Sequence, residues 1–154
     1  MDSIVYQDNT NKDIWLKLVL AIPLLIFVGI AFYYLAANDT ETAIGIFGVA
    51  VLILLLFWIV IPRKYVILDS KVKIVLGGPF SFTISFKNIE TARIPRGITF
   101  GINLPSSISS KHAVEIIRKK GMNVNITPDN RELFLKNLEK AMDDWKNYHS
   151  RGTT

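Results

Sequence analysis

Residues 14–37 read IWLKLVLAIPLLIFVGIAFYYLAA, residues 38–42 NDTET and residues 43–61 AIGIFGVAVLILLLFWIVI. Two long apolar stretches, Ile14 to Ala37 and Ala43 to Ile61, are thus separated by five polar residues, and together they read as a membrane α-helical hairpin. The second holds no ionisable side chain in its 19 residues. As a helix it is about 28 Å long at about 1.5 Å per residue, close to the roughly 30 Å of bilayer hydrocarbon. The first carries Lys17 one turn in, where a lysine reaches the interface by snorkelling. Pro23 falls inside it, which neighbouring helices in lipid compensate, and Pro62 supplies a stop after the second. Trp15 and Trp58 fall at one interface, Tyr33 and Tyr34 near the other. No ionisable group lies between Leu18 and Ala37 or between Ala43 and Ile61, so the hairpin reads as an anchor rather than a path for ions or substrate. Gly45 and Gly48 leave room for close helix contact, but they lack the four-residue small-residue spacing and glycine is common in such helices, so they add nothing to the anchor reading.

Orientation follows from charge. The 38–42 loop has no Lys or Arg, whereas Lys12, Lys17, Arg63, Lys64, Lys71 and Lys73 flank the other ends. The expectation is a multi-pass protein of the cell membrane with both termini cytoplasmic. The rival reading of the first stretch is a cleaved signal peptide. Its apolar core exceeds the usual length, the start is acidic at Asp2, and Leu35-Ala36-Ala37 lacks the small residue at −3. Asn38-Asp39-Thr40 matches a glycosylation acceptor, taken as a chance match in a loop pressed against a bilayer.

Charge is unevenly spread. From Arg63 to Thr154 there are 16 Lys or Arg against 8 Asp or Glu, while the first 62 residues hold 2 and 5. A basic module beside anionic lipid is favoured by roughly 1 kcal/mol per Lys or Arg near the surface. With no cysteine, disulfides and thiolate metal sites are excluded.

After Pro62 the period changes to two. Tyr65 to Leu68 reads as a strand and Asp69-Ser70 as a turn; Lys71 to Leu76 places Val72, Ile74 and Leu76 on one face and lysines on the other. Gly77-Gly78-Pro79 punctuates the chain, and Phe82, Ile84 and Phe86 then alternate with Ser81, Thr83 and Ser85. Glu90 to Ile94 and Ile98 to Leu104 are further strands, the latter interrupted at Gly101 by an expected bulge. Pro105 to Lys111 is a polar loop. His112 to Arg118 and Met122 to Thr127 form a hairpin around Lys119-Lys120-Gly121, where glycine takes the positive φ. Asp129-Asn130-Arg131-Glu132, after Pro128, is a capping-box start for a final helix. Phe134, Leu138, Ala141 or Met142, Trp145 and Tyr148 make its apolar stripe, broadened by Leu133 and Leu135, and the sheet is the surface available to bury it.

Seven short strands and one amphipathic helix resemble a pleckstrin-homology-like domain, and the chain is similar to prokaryotic (bacterial) PH-domain membrane proteins with two transmembrane helices before the domain. The resemblance rests on Phe86-Lys87-Asn88-Ile89-Glu90, a strand-to-strand step, and on Ile126 to Leu138, a strand, a Pro-Asp turn and a helix opening with an apolar pair. It covers roughly Arg63 to Tyr148. It implies a mainly-β barrel of about seven antiparallel strands with a capping C-terminal helix. The expected division is an N-terminal segment and hairpin at 1–62, a PH-like cytoplasmic domain at 63–149 and a flexible tail at 150–154. Eukaryotic phosphoinositide readers use several basic residues around the first two strands; this chain matches only at Lys71-x-Lys73, without the arginine.

Catalysis is not expected. His112 beside Ser106, Ser107, Ser109 and Ser110 lacks a nucleophile elbow, His112 and His149 have no metal-ligand spacing, and no cofactor or metal is implied. The basic residues are the functional candidates. PH-like strand order would gather three turns at one end of the barrel, bringing together Lys71, Lys73, Lys87, Arg118, Lys119 and Lys120 as a site for a protein partner or an anionic group such as a lipid headgroup. Arg93 and Arg96 form a second, less localised pair. Trp15, Lys17, Trp58, Arg63 and Lys64 mark the membrane interface. A nucleic-acid role lacks aromatic residues interleaved with Arg on a strand. The expected function is a non-catalytic, membrane-anchored PH-like binding or scaffolding module, with self-association a further expectation. The alternative is an accessory subunit of a membrane enzyme or transporter.

Overall fold

The computed structural model describes residues 3–10, 14–95, 101–104 and 112–151. Its elements in chain order are β1 (Ile4–Asn9), α1 (Ile14–Ala36), α2 (Thr40–Val60), β2 (Lys64–Leu68), β3 (Lys71–Val75), β4 (Ser81–Ser85), β5 (Ile89–Arg93), β6 (Ile102–Leu104), β7 (Val114–Arg118), β8 (Val124–Ile126) and α3 (Arg131–Arg151). A 3₁₀ turn, Phe86–Asn88, joins β4 to β5.

Helices α1 and α2 form a hairpin, with Pro23 inside α1 without ending it. At the bend Asn38 takes a left-handed φ of 62°, and Asp39 caps α2 by accepting the Thr42 N–H at 3.1 Å. Both helices are long and apolar enough to cross a membrane. Ala31, Ala43 and Ala50 are buried in the hairpin, whereas a Cβ on Gly45 or Gly48 would meet open space. Close helix contact therefore falls at alanines, and the two glycines play no part in it, in keeping with their spacing. Leu25, Phe32, Phe47 and Leu52 are 55–68% exposed, surface that is unfavourable in water but not in lipid.

Residues 3–10, expected as a lead-in to the anchor, instead extend the sheet. Strand β1 pairs antiparallel with β2, Ile4 opposite Leu68 and Asn9 opposite Lys64. Thr10 bridges to Pro128, and the Asp129 N–H donates to the Asn9 carbonyl at 3.0 Å. The hairpin thus leaves and rejoins the domain between two neighbouring strands.

The seven strands expected after Pro62 are present, but they do not close into one antiparallel barrel. Together with β1 they form two four-stranded sheets, ordered β1-β2-β3-β4 and β5-β7-β8-β6. The 3₁₀ turn ends the first ladder after β4 and redirects the chain. In the second sheet β6 runs parallel to β8, Ile102 opposite Val124 and Leu104 opposite Ile126. Alternation reports which side chains face inward, not which strand is the neighbour or in which direction it runs. Residues 98–100 of the expected strand from Ile98, with Arg96, Gly97 and the 105–111 loop, lie outside the described residues.

The inward rows of both sheets meet helix α3. Tyr65, Ile67, Val72, Ile74, Ile84, Phe86, Ile89, Val114, Ile116, Val124 and Ile126 enclose a core closed by Phe134, Leu138, Ala141 and Met142. The Tyr65 hydroxyl joins the layers, donating to the Leu104 carbonyl at 3.3 Å and accepting the Thr127 N–H at 3.2 Å. Helix α3 begins at Arg131 with Asn130 as its cap, the Asn130 Oδ1 accepting the Leu133 N–H at 3.0 Å. The apolar stripe holds at its centre. Trp145 and Leu135 are half-buried, but Leu133 is 43% and Tyr148 80% exposed, so these two do not belong to it. Ser150 and Arg151, expected in the tail, are helical; 152–154 lie outside the described residues.

Candidate functional site

Three connections far apart in sequence are hydrogen-bonded to one another at the end of the domain away from α1 and α2. At the Asp69-Ser70 turn between β2 and β3, the Ser70 carbonyl accepts the Phe86 N–H at 2.9 Å. Two residues on, Asn88 docks against the Lys119-Lys120-Gly121 turn between β7 and β8. Its carbonyl accepts the Lys119 N–H at 2.9 Å, its side-chain Oδ1 accepts the Lys120 N–H at 3.1 Å, and its Nδ2 donates to the Lys120 carbonyl at 3.3 Å. The Asn88 side chain thus does for this turn what a neighbouring peptide unit does in a ladder. Gly121 has the expected positive φ, 86°.

This clustering places Lys87 beside Lys119 and Lys120, all three exposed, with Lys71 following Ser70. Arg118 differs from the lysines. Its guanidinium folds back over Gly121 and donates to the Met122 carbonyl at 3.5 Å, so it braces the turn that presents Lys119 and Lys120. Lys73 lies further from the tip, on the outer face of the first sheet, opposite Val66 and Thr83. With Lys64 and Lys71 it lines a groove of about 450 Å³ whose floor includes Val66, Leu68 and Val75. The six candidates therefore divide into a tip cluster and, through Lys71, a basic stripe leading back toward Lys64. Asn88, which ties two of the turns together, was not among the candidates; its signal lay in the Lys87-Asn88-Ile89 step between two strands.

The opposite end of the domain meets α2 directly. Strand β2 begins three residues after the helix, and the Arg63 N–H already donates to the Val75 carbonyl at 2.8 Å. The Arg63 guanidinium sits 4.8 Å from the Trp58 ring centre. Lys17 lines a groove with Trp58 and Ile61, so it stands at the same end of the hairpin. Trp15 falls within α1, and nothing further is described of its side chain.

Residues 63–142, which hold β2 through most of α3, match the family model of the bacterial PH domain. The chain belongs to the bacterial PH domain family. No curated protein and no solved structure matches it. Strand β1 and both apolar helices precede the matched span, so this bacterial PH domain draws an edge strand from outside it. PH domains are in general binding modules rather than catalysts.

Other polar groups of the PH domain serve its structure. Glu115, 3% exposed, accepts from Arg93 Nε at 2.9 Å and from Asn123 Nδ2 at 3.0 Å, which engages the Arg93 guanidinium with a carboxylate. His149 donates from Nδ1 to the Trp145 carbonyl at 2.9 Å and stacks against the Trp145 ring, centres 4.4 Å apart. His112 lies just before β7, and its serine neighbours at 106–110 fall outside the described residues. Among the described residues no three His, Asp or Glu side chains are grouped to hold a metal ion. Tyr6 has its pKa raised, first by burial and then by the Asp8 carboxylate, with Asp129 adding to it.

Proposed function

We propose that this bacterial PH domain is a non-catalytic, membrane-anchored binding module. Its hairpin crosses the cell membrane with both termini cytoplasmic, and its far end holds an anionic protein surface. The observation that carries the reading is the hydrogen-bonded union of the three turns around Asn88 and Ser70. It brings lysines from distant parts of the chain onto one rigid end. Charges fixed on a rigid scaffold recognise a partner without the entropy cost of ordering loops.

Topology has support independent of the loop charges. Strands β1 and β2, on either side of the hairpin, pair with each other, so both ends of the hairpin belong on the domain's side of the bilayer. The tip then faces the cytosol, since β2 runs from Lys64 beside the helices to the Asp69-Ser70 turn. A partner approaching from solution reaches it more readily than the protein's own lipid. The 63–149 division is extended in this reading by β1.

The test is crosslinking in native membranes, comparing wild type with Lys119→Glu/Lys120→Glu. The reversed chain should lose partners that wild type captures, and raising salt should weaken the same captures, because surface charges are screened over about 8 Å at physiological ionic strength. Retention of every partner by the reversed chain makes these lysines ordinary solubilising surface.

A further inference from the structure

The turn between β3 and β4 is built against the last turn of α2. The Gly77 N–H donates to the Ile59 carbonyl at 3.1 Å, satisfying one of the carbonyls that a helix end leaves without an intrahelical partner. A Cβ on Gly77 would run into the Trp58 carbonyl, so glycine is what allows this approach. Gly78, at a φ of 65°, puts its backbone against the Trp58 ring, where an added Cβ would lie 3.1 Å from the ring edge. The Leu76 N–H closes the turn onto the Phe80 carbonyl at 3.1 Å. Two rings stand out from this assembly, Trp58 at 50% and Phe80 at 51% exposure. No charged residue occurs from Ile74 to Phe86, while Arg63, whose N–H donates to the Val75 carbonyl, and Lys64, opposite Val75, lie just before the turn on the neighbouring strand.

We propose that Leu76 to Phe80 is a lipid-inserting wedge, with Phe80 entering the headgroup–acyl boundary of the bilayer that α2 crosses, next to Trp58. The inference rests on the spanning reading of the hairpin given above. The occupant is lipid because the turn is continuous with the helix end. A ring fixed beside the last turn of a spanning helix lies at the depth where aromatic side chains are favoured. Arg63 and Lys64 stand at headgroup level, and the uncharged turn presents nothing that resists entry. The wedge gives the domain a second point of attachment beside α2. Two points prevent the domain from rolling onto its side, which keeps the Lys87–Lys119–Lys120 tip pointed away from the membrane.

The absence of cysteine allows single-site labelling. Phe80→Cys, Lys119→Cys and Gly48→Cys would each carry an NBD fluorophore, with the protein in vesicles of phosphatidylcholine and phosphatidylglycerol. At residue 80 the emission should be blue-shifted, quenched by lipids bearing a nitroxide high on the acyl chain, and quenched by aqueous iodide several-fold less than at residue 119. Adding Gly77→Ala to Phe80→Cys should restore iodide access, because the turn can no longer sit on the Trp58 carbonyl. Iodide access at 80 equal to that at 119, with residue 48 shielded, overturns the wedge and leaves the spanning hairpin standing. Access at 48 as well removes both.

Discussion

Replacing Phe134 tests whether the strand before the hairpin belongs to the domain. Phe134 is fully buried, and its ring meets Tyr6 of β1 edge-to-face at 6.4 Å and Tyr65 of β2 at 6.2 Å. Phe134→Ala removes a large core side chain and should cost about 3–5 kcal/mol. At a typical urea m-value of about 2 kcal/mol/M, that moves the unfolding midpoint down by about 2 M. Pulse proteolysis across a urea series, in mild detergent that leaves the hairpin intact, reads the midpoint. The gentler Phe134→Leu keeps the fold if the alanine variant fails to accumulate. Paired with Tyr6→Leu in a double-mutant cycle, it should show a coupling of about 0.5–1.5 kcal/mol, the usual range for an aromatic pair. Additivity within about 0.3 kcal/mol would mean that β1 does not dock beside α3. A cost below about 1 kcal/mol for Phe134→Ala would place the helix on another surface altogether.

Asn88→Ala removes both side-chain hydrogen bonds to the Lys120 backbone and should cost about 1–2 kcal/mol, with faster hydrogen exchange at the Lys120 amide as the local signature. Arg93→Ala strips one partner from the buried Glu115 carboxylate and should lower the unfolding free energy by about 1–3 kcal/mol in urea titrations, while Lys119→Ala at the exposed tip should stay within about 0.5 kcal/mol. Because burial, reinforced by Asp8, raises the Tyr6 pKa, the folded state keeps that proton to higher pH than the unfolded chain, whose phenol titrates near 10. Stability from this group is therefore complete below pH of about 10 and is lost as pH rises from there through the folded pKa; Tyr6→Phe should flatten that alkaline decline in thermal unfolding scans.

Much of the architecture could be read from residue order alone, and the reasons are local. An uncharged run as long as Ala43 to Ile61 has few alternatives to a helix in an apolar setting. The alternation of Val72, Ile74 and Leu76 or of Phe82, Ile84 and Phe86 marks a strand whatever its partner. The helix start within Asp129 to Glu132 is signalled locally, and the cap inside it falls on Asn130, whose side chain reaches an amide three residues on, a contact that needs no tertiary information. Gly121 similarly marks its own turn through its positive φ.

Properties that depend on which segments meet were decided by folding in three dimensions. Ile4 to Asn9 forms a strand because β2 presents an open edge across the 54 residues from Thr10 to Arg63, and nothing in that short stretch announces such a partner. The split into two sheets turns on the 3₁₀ step at Phe86–Asn88, and the parallel placement of β6 on β8 is a matter of neighbours, not of periodicity. At the candidate site, lysines at hairpin tips were visible in the chain. Their union was not, because it runs through Asn88, whose amide gains its meaning only when the 119–121 turn folds against it. Spacing along the chain records the short-range terms, helix hydrogen bonds, strand alternation and turn φ. Sheet pairing and the gathering of charge come from contacts between distant residues, which become favourable together once the core has closed.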